Sequence, residues 1–496
     1  MAVSGGGLRV LFATSEIAPW VKTGGLGDVS AALPAALAAE GLEVRVLVPA
    51  YPALLAAFPE RRLLARIEHP AGALRPALLS QPAAADGQRL LLLESAEDYQ
   101  RPGGPYQDRG GRDWTDNALR FGLLSKAAAL LASTDTPLDW QPDVLHCNDW
   151  QTGLAPAYLR YRLRPRAATV MTIHNLAFQG VFEPVLLAAL DLPASAMAID
   201  GVEFHGRISF LKAGLQHCDR ITTVSPTYAR EICEPAHGAG LDGLLRWRRE
   251  RSAADLTGIL NGIDTGEWNP ATDASIAARY SIDTLEAKAV NRRALAGRLG
   301  IDAPPDAPIL GMVSRMTLQK GTDLVLAAAE ALVAGGARLA VLGSGEPAME
   351  EAWRELAAAH RGRIGVCIGF DDALAHLVEA GADLFLMPSR FEPCGLNQMY
   401  SLAYGTPPVV HATGGLADTV VDCNASTRAA GTANGFSFTG ASVPGLLAAV
   451  ARAIEAWRDP PLWRELQRNG MARDWGWSTA ARRYAQLYRS LRPGDA

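Results

Sequence analysis

Lysine is scarce in this chain. Only five of its 47 basic residues are lysine, at positions 22, 126, 212, 288 and 320. A lysine beside a glycine-rich turn is then a pointed choice, because a compact ammonium binds anions differently from a planar guanidinium. The six cysteines (147, 218, 233, 367, 394 and 423) form no C-x-x-C pair. That excludes a cysteine-rich zinc module and argues for reduced thiols. No D-x-D occurs, and no His/Asp/Glu cluster has convincing metal spacing. A bound diphosphate would therefore be neutralised by side-chain cations and loop amides, with no cofactor or metal expected. The glycines at 24, 25 and 27 miss the G-x-G-x-x-G spacing of a dinucleotide oxidoreductase. No apolar run reaches membrane-spanning length, Met1–Gly7 lacks the layout of a signal peptide, and a net charge of −5 offers no footprint for nucleic acid or an anionic membrane. A soluble, cytoplasmic protein is expected.

With 496 residues, 49% apolar and 20% charged, the chain suits two α/β domains, each of about 200–250 residues. The first runs over 1–255 and is rejoined by a C-terminal helix at 478–496; the second spans 256–477, with the junction in the turn-rich stretch Ser252–Pro270. In the first domain, strands are expected at Leu8–Ala13, Val44–Val48, Leu90–Leu93, Val144–Cys147, Thr169–Ile173 and Arg220–Val224, with helices at Asp28–Glu40, kinked at Pro34, and Asn117–Ser133. Pro52–Asp86 carries little signal, and Gln100–Thr115 reads as an irregular loop. Ala274–Gly300 reads as helical. Five strands then follow, at Pro308–Val313, Arg338–Leu342, Ile364–Ile368, Ala382–Met387 and Pro408–Val410, alternating with helices at Thr322–Ala334, Ala348–His360, Asp372–Ala380 and Asn397–Tyr404; the end is helical from Gly440 to Arg492. Helices between short apolar strands imply parallel sheets.

The pattern Lys22-Thr23-Gly24-Gly25-Leu26-Gly27-Asp28 opens the first helix and returns as Thr413-Gly414-Gly415-Leu416-Ala417-Asp418. Glycines permit positive φ and close approach of a ligand, and the free amides of a helix start attract anions. Asp149 and His174 follow strands at their carboxyl ends, where ligands of open α/β sheets sit. Arg315 and Lys320 follow the strand that ends at Val313 and could clamp a diphosphate; Gly343-Ser344-Gly345 offers a further approach for phosphate or ribose. Glu392 sits on the loop after Met387, ahead of Cys394, Gly395 and Leu396, whose amides could hold a polyol. Cys394 has no local histidine and reads as a packed thiol.

Together these stretches, with His174–Gly180, Leu260–Asp264, Ser389–Gln398 and Trp475–Ser478, resemble the bacterial glycogen synthase and plant starch synthase family over nearly the whole chain. The resemblance implies the GT-B architecture, two Rossmann-like domains facing across a deep cleft. It implies metal-independent, retaining transfer of glucose from ADP-glucose to the non-reducing end of an α-1,4-glucan such as glycogen. By motif, Arg315 and Lys320 would hold the diphosphate, Glu392 and the amides after it the transferring glucose, and Asp149 and His174 would line the sugar site. Lys22, Gly24, Gly25 and Asp28 would meet the donor from the first domain, Lys22 on cleft closure. Thr413, Gly414 and Gly415 would border the site, Phe370 would lie against adenine, and Tyr106 resembles a further substrate position. Related retaining transferases carry E-x7-E, whereas here Tyr400 takes the second place. The residues alone leave three alternatives: UDP-glucose as donor, another GT-B retaining transferase, and an inactive glucan-binding homologue.

Overall fold

The computed structural model describes residues 7–72, 77–84, 87 and 89–491. The expectations at Met1 and Arg492 lie outside them. The chain divides into two compact units: residues to Val224, Ala229–Ile259 and Trp477 onwards form one, and Ser225–Tyr228 with Leu260–Gly476 form the other.

Unit one is built on a nine-stranded sheet. Its order is Leu256–Gly258, Arg220–Thr223, Ala168–Ile173, Val144–Asn148, Arg9–Ala13, Glu43–Pro49, Leu90–Glu94, Ala77–Pro82, Arg61–Ile67. The first seven strands are parallel, and the last two run antiparallel as an edge hairpin. That hairpin occupies the stretch that carried little signal. The outer strand Arg61–Ile67 has a single buried residue, so no clean alternation of apolar and polar positions marks it. Central strands such as Leu90–Glu94 are apolar on both faces, as parallel strands covered by helices must be. The last helix, Ser478–Arg489, belongs to this unit. It is pinned by Tyr488, whose hydroxyl lies 2.7 Å from Nδ1 of the fully buried His146.

Unit two holds a six-stranded, wholly parallel sheet in the order Ile364–Ile368, Arg338–Gly343, Ile309–Val313, Leu384–Met387, Pro408–His411, Phe436–Phe438. Numbered along the chain this is 3-2-1-4-5-6, the doubly wound order whose direction reverses between its first and fourth strands. Trp353, fully buried, anchors the core on one side of the sheet and Phe385 on the other.

Two local expectations are corrected. Ala274–Gly300 is not one helix: after a short turn at Leu285–Ala287, only Lys288–Leu299 is α-helical. The preceding backbone bonds to side chains instead. Asp273 accepts from the Ser275 amide, and Asn291 exchanges two hydrogen bonds with Ala278. The C-terminal stretch is three helices, Val443–Trp457, Pro460–Met471 and Ser478–Arg489. Asp459 caps the second, and prolines occupy its first positions.

Candidate active site

In unit one the chain reverses its order of winding beside Arg9–Ala13, with Glu43–Pro49 on one side and Val144–Asn148 on the other. The loops that leave the carboxyl ends of Arg9–Ala13, Val144–Asn148 and the neighbouring Ala168–Ile173 carry Lys22, Asp149 and His174. Glu16, not singled out in the sequence, organises the first loop. It is 3% exposed and accepts the Thr23 amide and hydroxyl, both at 2.6 Å, together with the Tyr106 hydroxyl. Tyr106 also lies 2.8 Å from the Ser15 hydroxyl, so it is fastened to this loop. The signal available was a carboxylate three residues past a buried strand end, a place where a charge needs a reason.

The helix opening here spans Gly25–Ala39 and continues through Pro34. The glycines do not turn the chain with positive φ as expected. Gly24 has φ −164°, ordinary extended backbone, and no side chain caps the helix start. Their use is space. A Cβ on Gly27 would lie 3.1 Å from the Lys22 side chain, and nothing lies within 4 Å of a Cβ on Gly24. Lys22 extends its ammonium to Asp28 at 2.8 Å, and Gly25 forms the first turn between them.

Asp149 is the strained residue of this unit's site. Its φ is +54° with ψ −175°, rare for a residue with a side chain, and such outliers gather at functional sites. It is 8% exposed and accepts the amides of His174 at 2.7 Å and Asn175 at 3.4 Å. Desolvation pushes its carboxyl up to about 7 against those two hydrogen bonds, with Glu16 adding to the rise. His174 is held through Asn148. The Asn148 amide nitrogen donates to the Ala13 carbonyl, leaving its oxygen to accept from His174 Nε2 at 2.9 Å. That fixes the neutral tautomer with an open lone pair on Nδ1. Desolvation holds this imidazole well below its ordinary range. Gly180 (φ +58°) leaves room for Trp150, since a Cβ there would come within 2.3 Å of the indole.

In unit two the candidate residues stand at the reversal of winding. Arg315 and Lys320 follow the first strand, and Glu392 follows the fourth. Glu392 is 6% exposed, and its Oε2 receives the Lys320 ammonium at 2.6 Å and the Ser389 hydroxyl at 3.0 Å. Among the described residues Oε1 accepts nothing. Arg315 is exposed, and its guanidinium forms no hydrogen bond or ion pair among the described residues. Phe370, 91% exposed after Ile364–Ile368, presents a bare ring.

The second glycine pair underlies the Glu392 loop. The Gly415 amide donates to the Glu392 carbonyl at 3.1 Å. A Cβ on Gly414 (φ +43°) would sit 2.0 Å from that same oxygen, and one on Gly415 would sit 1.9 Å from the Cys394 carbonyl. Here, then, the glycines let two backbones touch, with Thr413 at the N-cap of the helix Gly414–Thr419. Gly395 (φ +73°) turns the loop, and Leu396 precedes the helix Asn397–Ala403. Gly343 and Gly345 are also packing glycines, because Cβ atoms there would strike the carbonyls of Ser314 and Met316.

Cys394 is buried, and burial pushes its thiol up to about 12, so it carries no thiolate. Cys394→Ser is expected to keep measurable catalytic activity. A sugar adduct trapped on the wild-type cysteine, with activity absent from a folded variant, would refute this. Asn261, in the stretch Leu260–Asp264, is 7% exposed, and its Oδ1 has no partner among the described residues. Its backbone amide faces the Cys394 sulfur, so it is a further candidate acceptor at this site. Tyr400 lies flat on Trp268 at 3.8 Å, a packing arrangement.

The family described as starch synthase catalytic domain matches residues 9–247, and that described as glycosyl transferases group 1 matches 300–470. Glycogen synthase of Dechloromonas aromatica is 55% identical over 97% of this chain and 98% of its own, and that of Aromatoleum aromaticum is 54% identical over 99% and 98%. The catalytic domain of starch synthase IV from Arabidopsis thaliana, solved bound to ADP and acarbose, superposes with a TM-score of 0.87 at 31% identity, covering 98% of this chain and 99% of that one. Sucrose-phosphate synthase from Thermosynechococcus elongatus, at 20% identity and a TM-score of 0.58, shares the fold. The two α/β units are thus those of a GT-B enzyme, and the chain belongs to the glycogen synthase and starch synthase family of glycosyltransferases.

Proposed function

We propose that this enzyme transfers glucose from ADP-glucose to the non-reducing end of an α-1,4-glucan, with retention of configuration, releasing ADP in the cytoplasm. The observation that carries this reading is the cluster of Lys320, Ser389 and Glu392 at the reversal point of the 3-2-1-4-5-6 sheet. Doubly wound sheets bind their ligands there. Arg315 and Lys320 supply the charge that a diphosphate needs, and Glu392 Oε1 supplies an acceptor for sugar hydroxyls. The exposed Phe370 ring offers a face for adenine. In unit one, Asp149 and the open Nδ1 of His174 are acceptors for glucose hydroxyls, while Lys22 and Asp28 present a charged pair beside the uncapped helix start. The ADP and acarbose in the Arabidopsis relative support an adenine nucleotide and a sugar chain as the ligands here.

The test is nucleoside diphosphate release from purified protein with glycogen and each sugar nucleotide. ADP-glucose with chelator present is expected to support turnover and UDP-glucose to support far less. Loss of activity in chelator, restored by a divalent ion, would overturn the metal-independent reading. Arg315→Ala is expected to weaken ADP binding about 10–100-fold, the size of one charge-assisted hydrogen bond. Calorimetric titration with ADP measures it, and an unchanged affinity removes Arg315 from the diphosphate.

A further inference from the structure

We propose that Glu267, Asp372 and His376 in unit two form a binding site for a divalent transition-metal ion, separate from the proposed transfer chemistry. Their ligand atoms lie within 4.8 Å of one another. Asp372 and His376 stand four residues apart on the helix Asp372–Gly381 and so share one face of it. Glu267 comes from the loop that carries Trp268. The D-x-x-x-H spacing of Asp372 and His376 is the local signal for the site, and the third ligand, more than 100 residues earlier, is why no metal pattern stands out in the sequence.

The imidazole is set up as a ligand. His376 is 3% exposed, and its ring is stacked on Trp268 with centroids 3.9 Å apart and planes 9° apart. Nδ1 lies 2.7 Å from Asp273 Oδ2. Asp273 also receives the Tyr404 hydroxyl and the Ser275 amide, so it is an acceptor throughout. Nδ1 therefore carries the hydrogen, and the lone pair is on Nε2, which has no hydrogen-bond partner among the described residues. A carboxylate behind a histidine that fixes the tautomer and raises the basicity of the other nitrogen is the usual support of a metal-ligating imidazole.

Asp371 is spent on capping the helix, where it accepts the Leu374 amide, and on a salt bridge to Arg298. Asp372 and Glu267 are exposed, so their rotamers can close on an ion. An ion of the zinc class binds nitrogen and oxygen at about 2.0–2.2 Å, which requires these side chains to move inward. One imidazole and two carboxylates match Zn²⁺ and its neighbours, with a fourth position open to water. An ion here would tie the loop at Glu267 to the helix that begins two residues after Phe370.

The experiment is calorimetric titration of full-length, chelator-treated enzyme with Zn²⁺, followed by Co²⁺ titration read by visible absorption. The wild type is expected to bind one equivalent with a tetrahedral Co²⁺ spectrum. Both carboxylates are exposed, so the double variant Glu267→Gln/Asp372→Asn is expected to fold, with an unchanged far-UV spectrum as the check, to bind at least about tenfold more weakly and to lose the Co²⁺ spectrum. Glu330→Gln, which disrupts the surface Glu330–His360 pair, is expected to leave binding unchanged. Absence of saturable binding in the wild type, equal affinity in the double variant, or loss of binding in Glu330→Gln would each overturn the proposal.

Discussion

Glu392→Gln is expected to lower turnover about 10²–10³-fold, the loss typical of removing one preorganised electrostatic contact. The substitution keeps the side chain's size and one acceptor oxygen but removes its charge. It thereby separates the carboxylate's chemistry from its packing, which matters for a residue only 6% exposed. The loop itself is held by backbone: the Glu392 carbonyl still accepts from Gly415. Lys320, now 2.6 Å from the carboxylate, loses its ionic partner and becomes more available to a diphosphate. ADP affinity should therefore hold or tighten while turnover collapses. This split marks a contact made on the way to the transition state and would not follow from a damaged fold. Steady-state kinetics beside calorimetric ADP binding measures both. Turnover near wild type would return Glu392 to a structural role, and a parallel loss of ADP affinity would place it in ground-state nucleotide binding.

What could be read from the sequence was set by how local each signal is. Parallel strands buried on both faces, such as Ile309–Val313 and Val144–Asn148, are short apolar runs bounded by turn residues, and their limits were visible within a residue or so. The antiparallel edge strands Arg61–Ile67 and Ala77–Pro82 were not visible, because an exposed outer strand has no apolar face to betray it. The candidate residues could be placed because strand ends and glycine turns are local. Their partners could not. That Lys320 meets Glu392 across 72 residues, or that Glu16 fastens both Thr23 and Tyr106, depends on sheet order. Glycine was the most misleading letter. At Gly343, Gly345 and Gly415 it serves backbone-to-backbone packing, which spells the same as a phosphate turn.

Asp149→Asn is expected to make the protein more stable at pH 8 while lowering its activity about 10²-fold. The native carboxyl is pushed up to about 7 from an ordinary 3.8, chiefly by desolvation. A raised carboxyl means that between about pH 4 and pH 7 the folded state holds a proton the unfolded state has already lost. Stability then falls as pH rises through that window and stays low above it. The cost at pH 8 is at most about 4 kcal/mol. Asparagine has no charge to desolvate, so its advantage should be absent near pH 4, grow towards pH 7 and level off above. It also suits the site: asparagine tolerates positive φ as aspartate does, and its oxygen can accept the amides of His174 and Asn175. Catalysis should show the other side. With Asp149 acting as an ionised acceptor for a glucose hydroxyl, wild-type kcat/KM should rise with pH through about 7, and the variant should lack that inflection. Denaturant unfolding at pH 5 and pH 8, with pH–rate profiles of both proteins, checks each half separately. A variant less stable than wild type at pH 8 would show that the buried charge is compensated, and an unchanged inflection near 7 would assign that ionisation to another group.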